Sequence, residues 1–396
     1  MSTNGHAEAE CVGGPIYRDT NLQIVFGVTL MAVLGVSSIT PAFPSIVREL
    51  DISPQAVGSL ITAFTLPGVL LTGFLGLLAD QVGRKRVLIP ALLIFALAGA
   101  ACAFARDFRI LLLLRFFQGA GAAGLGAINI TIIGDLYAGP DRTSAMGCNS
   151  SVLSVGTASY PAIGGALATF GWFYPFLLPL AAIPVALAVF FSLENPEPSR
   201  PPDFREYLGR VWEVMATRRV LALFIVGVFT FIILYGAFMT YFPLLLGDTF
   251  SVSPFAVGLV MSVSSLATAV TSSQVGRLSL SFSERRLMGA ACILYGLALV
   301  TIPLMPNLWL MAIPVSIFGI AQGMNMPSLM ALLAGECAME QRGALMSVNG
   351  MVLRLGQTLG PLVMGSIYAG AGFSGVYLAG AGFAVIMFMV VLTVMR

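Results

Sequence analysis

Long apolar segments recur along the chain, and short polar or glycine- and proline-containing breaks separate them. A helix needs about 20 apolar residues to cross the hydrocarbon core of a bilayer, and most of these segments have that length. Because several breaks are very short, neighbouring helices are expected to be antiparallel. The pattern predicts an all-α, multi-pass membrane protein with twelve transmembrane helices. The predicted spans are 22–47, 55–79, 86–105, 109–137, 144–168, 172–193, 220–246, 254–280, 286–305, 307–334, 344–369 and 373–395.

The second half of the chain repeats features of the first half at a shift of 200 residues. Agreement at loops, helix starts and kinks indicates a duplication of a six-span unit. Parallel six-span repeats are a transporter architecture, in which substrate binds near the bilayer midplane and one half rocks against the other. The matching residues are Ser53 and Ser253, Pro54 and Pro254, Gly76 and Gly276, Arg86 and Arg286, Arg142 and Arg342, Gly156 and Gly356, Pro161 and Pro361, and Gly165 and Gly365.

The repeat divides the chain into four parts. A polar cytoplasmic tail (1–21) precedes the N-terminal six-helix half (22–193), and the C-terminal half covers 220–396. Residues 194–219 form a linker with a proline-rich start. Apolar residues at helical spacing after that start predict an amphipathic helix along the membrane interface.

The basic residues predict how the chain is oriented. Cytoplasmic loops of membrane proteins carry an excess of Lys and Arg. With both termini in the cytoplasm, only Arg48, Arg106 and Arg109 lie outside, and the other arginines and lysines of the loops lie inside. The expected location is the bacterial cytoplasmic (inner) membrane.

Composition excludes most other classes of protein. Only 10% of the residues are charged and 58% are hydrophobic, with a mean hydropathy of +0.93, whereas soluble chains carry about 25% charged residues. The 20 basic and 18 acidic residues nearly balance, which gives no electrostatic basis for nucleic-acid binding. With five scattered cysteines and a single histidine, His6, no metal, cofactor or enzymatic activity is expected.

The break after the second span carries a motif. It reads Gly76, Leu77, Leu78, Ala79, Asp80, Gln81, Val82, Gly83, Arg84, Lys85, Arg86. This segment resembles the signature loop of the major facilitator superfamily, G-x-L-A-D-R-x-G-R-K/R-K/R, with Gln81 in place of the usual arginine. The glycines permit a sharp turn and close packing, and Asp80 is suited to a helix N-terminus. In the second half Leu280 stands where Asp80 stands in the first, so a charge latch is predicted on one side only.

The fourth span carries a charge inside the membrane. Arg115, Gln118 and Gly119 resemble the R-x-x-Q-G motif of the same superfamily, in which the arginine faces the interior and serves substrate or proton handling. Charges at membrane depth are functional by default. The alternative is that Arg115 reaches the outer interface along its aliphatic stem.

The fifth and eleventh spans carry matching glycine and proline residues. Gly156, Tyr160, Pro161 and Gly165 resemble the motif of the drug-antiporter branch, although Tyr160 replaces a glycine. Small residues there would let spans of the two halves approach closely. The eleventh span adds Arg354 near mid-depth, which requires water, a partner or substrate.

The resemblance implies a cavity lined mainly by spans 1, 4, 7 and 10. Two positive charges in the spans favour neutral or anionic amphiphiles over cations. The candidate substrate-binding residues are Arg115, Gln118, Asn129, Tyr160, Tyr235, Tyr241, Gln322, Asn325, Asn349, Arg354 and Gln357. The candidate gating residues are Gly76, Asp80, Gly83, Arg84, Lys85, Arg86, Gly156, Pro161, Gly165, Gly356 and Pro361.

These features favour a monomeric secondary active transporter that exports a small organic molecule by alternating access. Carboxylates such as Asp80 and Asp135 lie at span ends and none lies in mid-span. Proton coupling through Asp80, Asp135 or Arg115 and uncoupled transport therefore both stay open. The alternatives are an uptake permease or facilitator, a lipid-linked flippase, and a membrane sensor that does not transport.

Overall fold

The computed structural model describes residues 16–194, 217–336 and 342–394. Within these ranges the chain is helical, with no strand. The predicted amphipathic helix of the linker and most of the predicted N-terminal tail lie outside the described residues.

The first half consists of helices joined by tight turns. Asp19 and Asp107 begin two of the helices, where each carboxylate accepts hydrogen bonds from backbone N–H groups of the first turn, as expected of N-cap residues. The helices are α1 (Thr20–Ser37), α2 (Phe43–Glu49), α3 (Pro54–Val57), α4 (Ser59–Val82), α5 (Arg84–Cys102), α6 (Phe108–Leu136), α7 (Gly139–Phe170) and α8 (Ala182–Ser192), with 3₁₀ turns at Ile16–Arg18, Thr40–Ala42 and Tyr174–Ala181.

The second half is also helical, with its interruptions at different positions. A nine-residue π-helical segment, Ile233–Tyr241, interrupts its first span. The helices are α9 (Arg218–Ile232), α10 (Phe242–Phe250), α11 (Pro254–Leu278), α12 (Glu284–Thr301), α13 (Ala312–Gly335) and α14 (Arg342–Val394), with a 3₁₀ turn at Ile302–Leu304.

Ten helical stretches in the described part of the chain are long and apolar enough to cross a membrane. The 32-residue helix α7 is not one of them. The last of the ten belongs to α14, whose 53 residues contain a break at Gly372, with φ 61° and ψ −159°. An all-helical, multi-pass fold is therefore confirmed, while the count of twelve crossings stays a prediction.

Each half packs in the same way. Helices α4 and α5 pack on α6 in the first half, and α11 and α12 pack on α13 in the second. Likewise α1 packs on α7, and α9 on α14. The equivalent pairings agree with the duplication read from the sequence, whereas the predicted domain bounds stay predictions.

The two halves meet along two pairs of helices, α7 with α11 and α4 with α14. We call this contact the seam. We call the ends of the bundle the basic end, which carries the turns at residues 83 and 138, and the opposite end, which carries those at residues 52 and 252. Close backbone contacts of the seam lie toward the opposite end. A Cβ atom on Gly165 would lie 2.3 Å from the Pro254 carbonyl oxygen, and one on Gly258 would lie 2.1 Å from that of Pro161.

Hydrogen bonds also join the halves between α4 and α14. The Thr62 hydroxyl donates to the Thr358 carbonyl oxygen at 3.1 Å, and the Thr358 hydroxyl donates to Thr65 Oγ1 at 2.9 Å. Near the same level, a Cβ on Gly58 would lie 3.0 Å from the Pro361 side chain. This part of the seam therefore excludes larger side chains.

The seam is looser toward the basic end. A Cβ added to Gly76 or Gly276 would meet no atom within 4 Å. Among the described residues, the ion pairs at this end join groups of the same half, Arg84 with Asp80 and Asp135, and Arg219 with Glu336. Among the described residues, the close contacts between the halves thus lie toward the opposite end.

The seam geometry predicts that Gly258→Ala weakens closure of the opposite end. The added methyl group would overlap a backbone carbonyl, and overpacking of this kind costs about 1–3 kcal/mol. Spin labels at the exposed positions Glu49 and Asp248 would report a larger population of long distances by double electron–electron resonance.

Gly276→Ala is the matched control, since it lies on the same helix with open space around it. It should leave the distance distribution unchanged. An unchanged distribution in Gly258→Ala would show that this contact does not hold the opposite end closed.

Candidate functional site

Arg354 lies in the seam, on α14, against Gly68 of α4. A Cβ on Gly68 would lie 2.4 Å from Arg354 Nη1 and 2.8 Å from its Cδ, so the absence of a side chain at Gly68 makes room for the guanidinium group. Within the described ranges of the chain, the Arg354 side chain has no hydrogen bond and no ion pair. A positive charge therefore lies between the halves without an acceptor among the described residues.

Tyr235 brings a hydroxyl group toward this charge. It belongs to the π-helical segment of the seventh predicted span, where the Thr240 hydroxyl donates to the Tyr235 carbonyl oxygen at 2.7 Å. The Tyr235 side chain lies within electrostatic range of the Arg354 guanidinium group. π-Helical turns are rare and often occur at functional sites, because they re-aim side chains on one face of a helix.

Gln357 and Tyr160 are two further predicted residues on seam helices. Gln357 follows Arg354 by three positions on α14 and is half-buried, which places the two side chains on one helix face. Tyr160 is 8% exposed and precedes Pro161, whose carbonyl group contacts α11. In the parts of the chain that the structure describes, neither side chain forms a hydrogen bond.

Arg115 is buried inside the N-terminal half and is fully inaccessible. Its Nε donates to the Leu60 carbonyl oxygen at 3.2 Å, and its Nη1 donates to the Gly35 carbonyl oxygen at 2.8 Å and to Gln118 Oε1 at 2.7 Å. The guanidinium carbon lies 4.3 Å from the centre of the Phe64 ring. These contacts link α6 to α1 and α4.

The alternative in which Arg115 reaches the membrane interface is therefore wrong, because the side chain is held in the core. Gln118 is its partner and is 1% exposed. In this conformation most donors of Arg115 are engaged by the protein, and only Nη2 lacks an acceptor among the described residues. Substrate contact by Arg115 and Gln118 stays a prediction.

The predicted asparagines form polar contacts within each half. Asn129 donates to the Thr29 hydroxyl, which donates to Asn149 Oδ1 at 2.6 Å. In the second half Asn325 donates to the Thr230 hydroxyl at 2.8 Å. Both sets join the first span of a half to a later one.

Three of the predicted asparagines have a side-chain oxygen that accepts no hydrogen bond from the described residues. The Oδ1 atoms of Asn129, Asn325 and Asn349 are buried and have no donor in the described ranges. Asn349 itself donates weakly, to the Met330 sulfur at 3.5 Å. Unpaired buried acceptors require water or another donor, so these amides are candidates for contacts with water or substrate.

The remaining two predicted substrate residues lie inside the second half. Tyr295 donates a short hydrogen bond to Gln322 Oε1. Tyr241 is fully buried and stacks on Tyr368, with ring centres 4.9 Å apart. The structure therefore does not bring all predicted substrate residues to one surface.

At the basic end, Arg84 is the centre of a charge cluster. Its side chain is 5% exposed and pairs with Asp135 of α6, and with Asp80 of α4 at 3.4 Å. The cluster ties together α4, α5 and α6 of one half. Gly83 permits the intervening turn because its φ of 99° lies in the left-handed region.

The two following basic residues have different surroundings. Lys85 Nζ donates to the carbonyl oxygens of Phe190 and Leu193, at 3.1 and 2.8 Å, at the end of α8. Arg86 Nη1 donates to the Val82 carbonyl oxygen at 3.3 Å. In the second half, the position equivalent to Asp80 is Leu280. This side chain is 87% exposed and offers no carboxylate for an ion pair.

The predicted gating glycines and prolines fall into three groups. Gly165, Pro161 and Pro361 form close contacts across the seam. Gly156 and Gly356 instead pack within their own halves, since a Cβ would meet Leu30 at 3.0 Å and the Val228 carbonyl oxygen at 2.7 Å. The expectation that Gly156 lets the two halves approach is therefore wrong. Gly76 has open space around it.

Several features were missed from the sequence. The π-helical segment and the Thr62–Thr358–Thr65 hydrogen bonds have no clear signal in the hydropathy pattern. Asp135 was recognised as a residue at a span end and as a candidate for proton coupling, but its ion pair with Arg84, 51 residues away, was not predicted. Asn149 was overlooked, although its position 200 residues before Asn349 is a signal that the repeat provides.

Comparison with known families identifies the class of this protein. The family model described as Major Facilitator Superfamily matches residues 25–250 and 226–396. The chain belongs to the major facilitator superfamily, whose members are transporters.

Relatives and solved structures agree with this assignment. The chain is 27% identical to the bacillibactin exporter of Bacillus subtilis, with 94% of this chain and 96% of the relative covered. It is 26% identical to the class C tetracycline resistance protein of Escherichia coli, with 88% and 89% covered. A bacterial homologue of the human lysosomal transporter Spinster, in an inward-facing and occupied conformation, superposes with a TM-score of 0.81 at 20% identity, covering 97% and 98%.

The contacts of Arg115 predict a mainly structural requirement for a guanidinium group. In Arg115→Lys a single ammonium group cannot reproduce the planar fork of donors. The free energy of unfolding should fall by about 2–4 kcal/mol, measured by denaturation of the protein in detergent micelles.

Arg109→Lys is the matched control, because Arg109 is exposed on the same helix. It should leave stability unchanged. If Arg115→Lys is equally stable but loses transport, Arg115 serves substrate or coupling rather than the fold.

Proposed function

We propose that this protein is a secondary active transporter that exports a neutral or anionic organic amphiphile, with Arg354 as a contact for its acidic or polar group. The observation that supports this most directly is the unpaired guanidinium group of Arg354 in the seam beside Gly68. The seam is the surface at which substrates of such repeats bind.

The charge of Arg354 favours an anion for an energetic reason. A charge taken out of water loses several kcal/mol of hydration unless acceptors replace the water. Since no described side chain accepts from Arg354, water or substrate must do so. A carboxylate or phosphate group suits a guanidinium because two parallel hydrogen bonds form.

Tyr235 and Gln357 complete the polar subsite in this proposal. Tyr235 supplies a hydroxyl group near the charge, and Gln357 supplies an amide one helical turn further along α14. The apolar walls of the seam would hold the hydrocarbon part of an amphiphile. Arg115 has a different role in this proposal, since it stabilises the N-terminal half and becomes available only if the half rearranges.

Direction of transport is proposed from the relatives. One relative named above is described as an exporter and the other as a resistance protein, and we extend export to this chain from that likeness. Among the described residues the halves contact each other more closely toward the opposite end, and the arginine pattern predicts that the basic end faces the cytoplasm of a bacterium. A substrate would load there and leave after the opposite end opens.

In this transport cycle, the charge cluster around Arg84 would hold three helices of the first half together. It fixes the relative positions of α4, α5 and α6 at the basic end, while Gly76 leaves room for a partner helix to approach α4. In the second half Leu280 stands at the position of Asp80, so this charge cluster is a feature of the first half only.

Proton coupling has one specific group of candidates. In the described ranges, Asp80 and Asp135 lie at span ends and share the guanidinium of Arg84. Protonation of either carboxylate would loosen this cluster. Uncoupled, facilitated export is the alternative within the same proposal.

The proposal predicts a charge-selective defect in Arg354→Gln. A fluorescent dye with a free carboxylate and its uncharged ester would be compared in proteoliposomes. The variant should reduce carboxylate flux about tenfold or more, because a desolvated charge pair is lost, while flux of the ester changes by less than about twofold. Arg354→Lys should be intermediate, since lysine lacks the bidentate fork.

Arg277→Gln serves as control, because it removes an exposed arginine of the basic end. Equal loss of both dyes in Arg354→Gln would contradict anion recognition at this residue. A flux that follows an imposed pH gradient would indicate proton coupling, and one indifferent to it would indicate a facilitator or another ion.

A further inference from the structure

A groove of about 780 Å³ opens on the outer surface of the second half, between the start of α12 and the end of α14. It lies away from the seam and from every residue assigned above to substrate. We call it the lateral groove. Its lining residues are Ser283, Arg285, Arg286, Gly289, Ala290, Ile293, Phe388, Val391 and Leu392.

The lateral groove is polar at one end and apolar along its length. Ser283, Arg285 and Arg286 form its rim at the basic end. Ile293 is two helical turns deeper on α12 and is 58% exposed, while Phe388 faces the groove from α14. A charged rim above an apolar wall matches the layering of a lipid, with its headgroup at the interface and its acyl chain beside the helices.

The two arginines of the rim form few contacts with the rest of the protein. Arg285 Nη2 donates to the Leu392 carbonyl oxygen at 2.8 Å and so joins the two helices across the groove. Arg286 is exposed and forms no hydrogen bond or ion pair with any residue in the described ranges. Glu284 is adjacent in sequence but does not line the groove.

Lys85, the residue of the first half that corresponds to Arg285, uses its hydrogen-bond donors differently. A shift of 200 residues places Lys85 at the position of Arg285, and the Lys85 ammonium group is engaged by two carbonyl oxygens of the α8 end. In the second half, Arg285 joins the corresponding helix ends through one hydrogen bond from Nη2. The other N–H groups of its guanidinium form no hydrogen bond with the described residues.

Gly289 leaves space between α12 and α14 in the wall of the lateral groove. A Cβ there would lie 3.6 Å from the Phe388 ring, which is ordinary contact. A larger side chain would occupy the space between α12 and α14. Gly289 thus keeps the lateral groove open at the depth where an acyl chain would lie.

We propose that the lateral groove binds an anionic phospholipid from the inner leaflet, with its phosphate group at Arg285 and Arg286 and an acyl chain along Ile293 and Phe388. Basic pockets between membrane helices on the cytoplasmic side recognise anionic headgroups in this way. A free phosphate ion would leave the apolar wall uncovered, which favours a lipid as the occupant.

The test uses the full-length protein in proteoliposomes containing phosphatidylglycerol or phosphatidylcholine with the same photoactivatable acyl chain. Irradiation followed by peptide mass spectrometry would map adducts. Adducts with phosphatidylglycerol are expected on the segments around Ile293 and Phe388, and should exceed those with phosphatidylcholine.

Variants separate charge from shape. Arg286→Gln should lower the phosphatidylglycerol adducts in the groove about fivefold, because one basic residue near the surface contributes about that factor. Arg277→Gln, an exposed arginine that does not line the groove, should have no effect. Gly289→Leu should lower adducts of both lipids, while Gly289→Ala should not.

Equal labelling by the two lipids would overturn the proposal, as would unchanged labelling in Arg286→Gln. Excess inorganic phosphate provides the third arm. If it abolishes the preference for phosphatidylglycerol, the rim is a small-anion site and the lipid assignment is wrong. Normal elution of each variant from size exclusion confirms that it folds.

Discussion

A guanidinium group at membrane depth needs hydrogen-bond acceptors from the protein, from water or from a ligand, and this constraint organises the structure. The two mid-span arginines satisfy it in opposite ways. Arg115 engages two backbone carbonyl oxygens, Gln118 and the ring of Phe64 within one half. Arg354 lies between the halves without an acceptor among the described residues. One charge therefore holds a half together, and the other is available in the surface where the halves separate.

The duplication explains why the two halves share helix packing but not chemistry. Equivalent helices pack in equivalent pairs, and small residues bring α7 close to α11 at the opposite end. The charged positions have diverged, because Arg84 has two carboxylate partners while Leu280 replaces the acidic residue of the second half. Lys85 and Arg285 likewise hold corresponding helix ends, but Lys85 uses two of its three donors there, whereas Arg285 uses one of five.

The sequence predicted the fold class because hydropathy and the repeat report on the bilayer, which acts on every span. It also identified the signature loop and the seam residues Gly165, Pro161 and Pro361. It did not predict which side chains face a partner within the same half, because helical rotation depends on packing between distant segments. Gly156 was therefore assigned to the wrong contact, and the role of Arg115 was left between two readings. The π-helical segment around Tyr235 depends on backbone detail that composition does not encode.

The central claim is that Arg354 contacts the acidic group of a transported molecule within the seam. The most direct measurement is an electron cryomicroscopy structure of the protein in a lipid nanodisc, with a transported organic anion bound. The account predicts density for a carboxylate or phosphate group within hydrogen-bond distance of the Arg354 guanidinium, beside Gly68 and Tyr235. Density for the anion elsewhere, with Arg354 paired to a protein carboxylate, would contradict it.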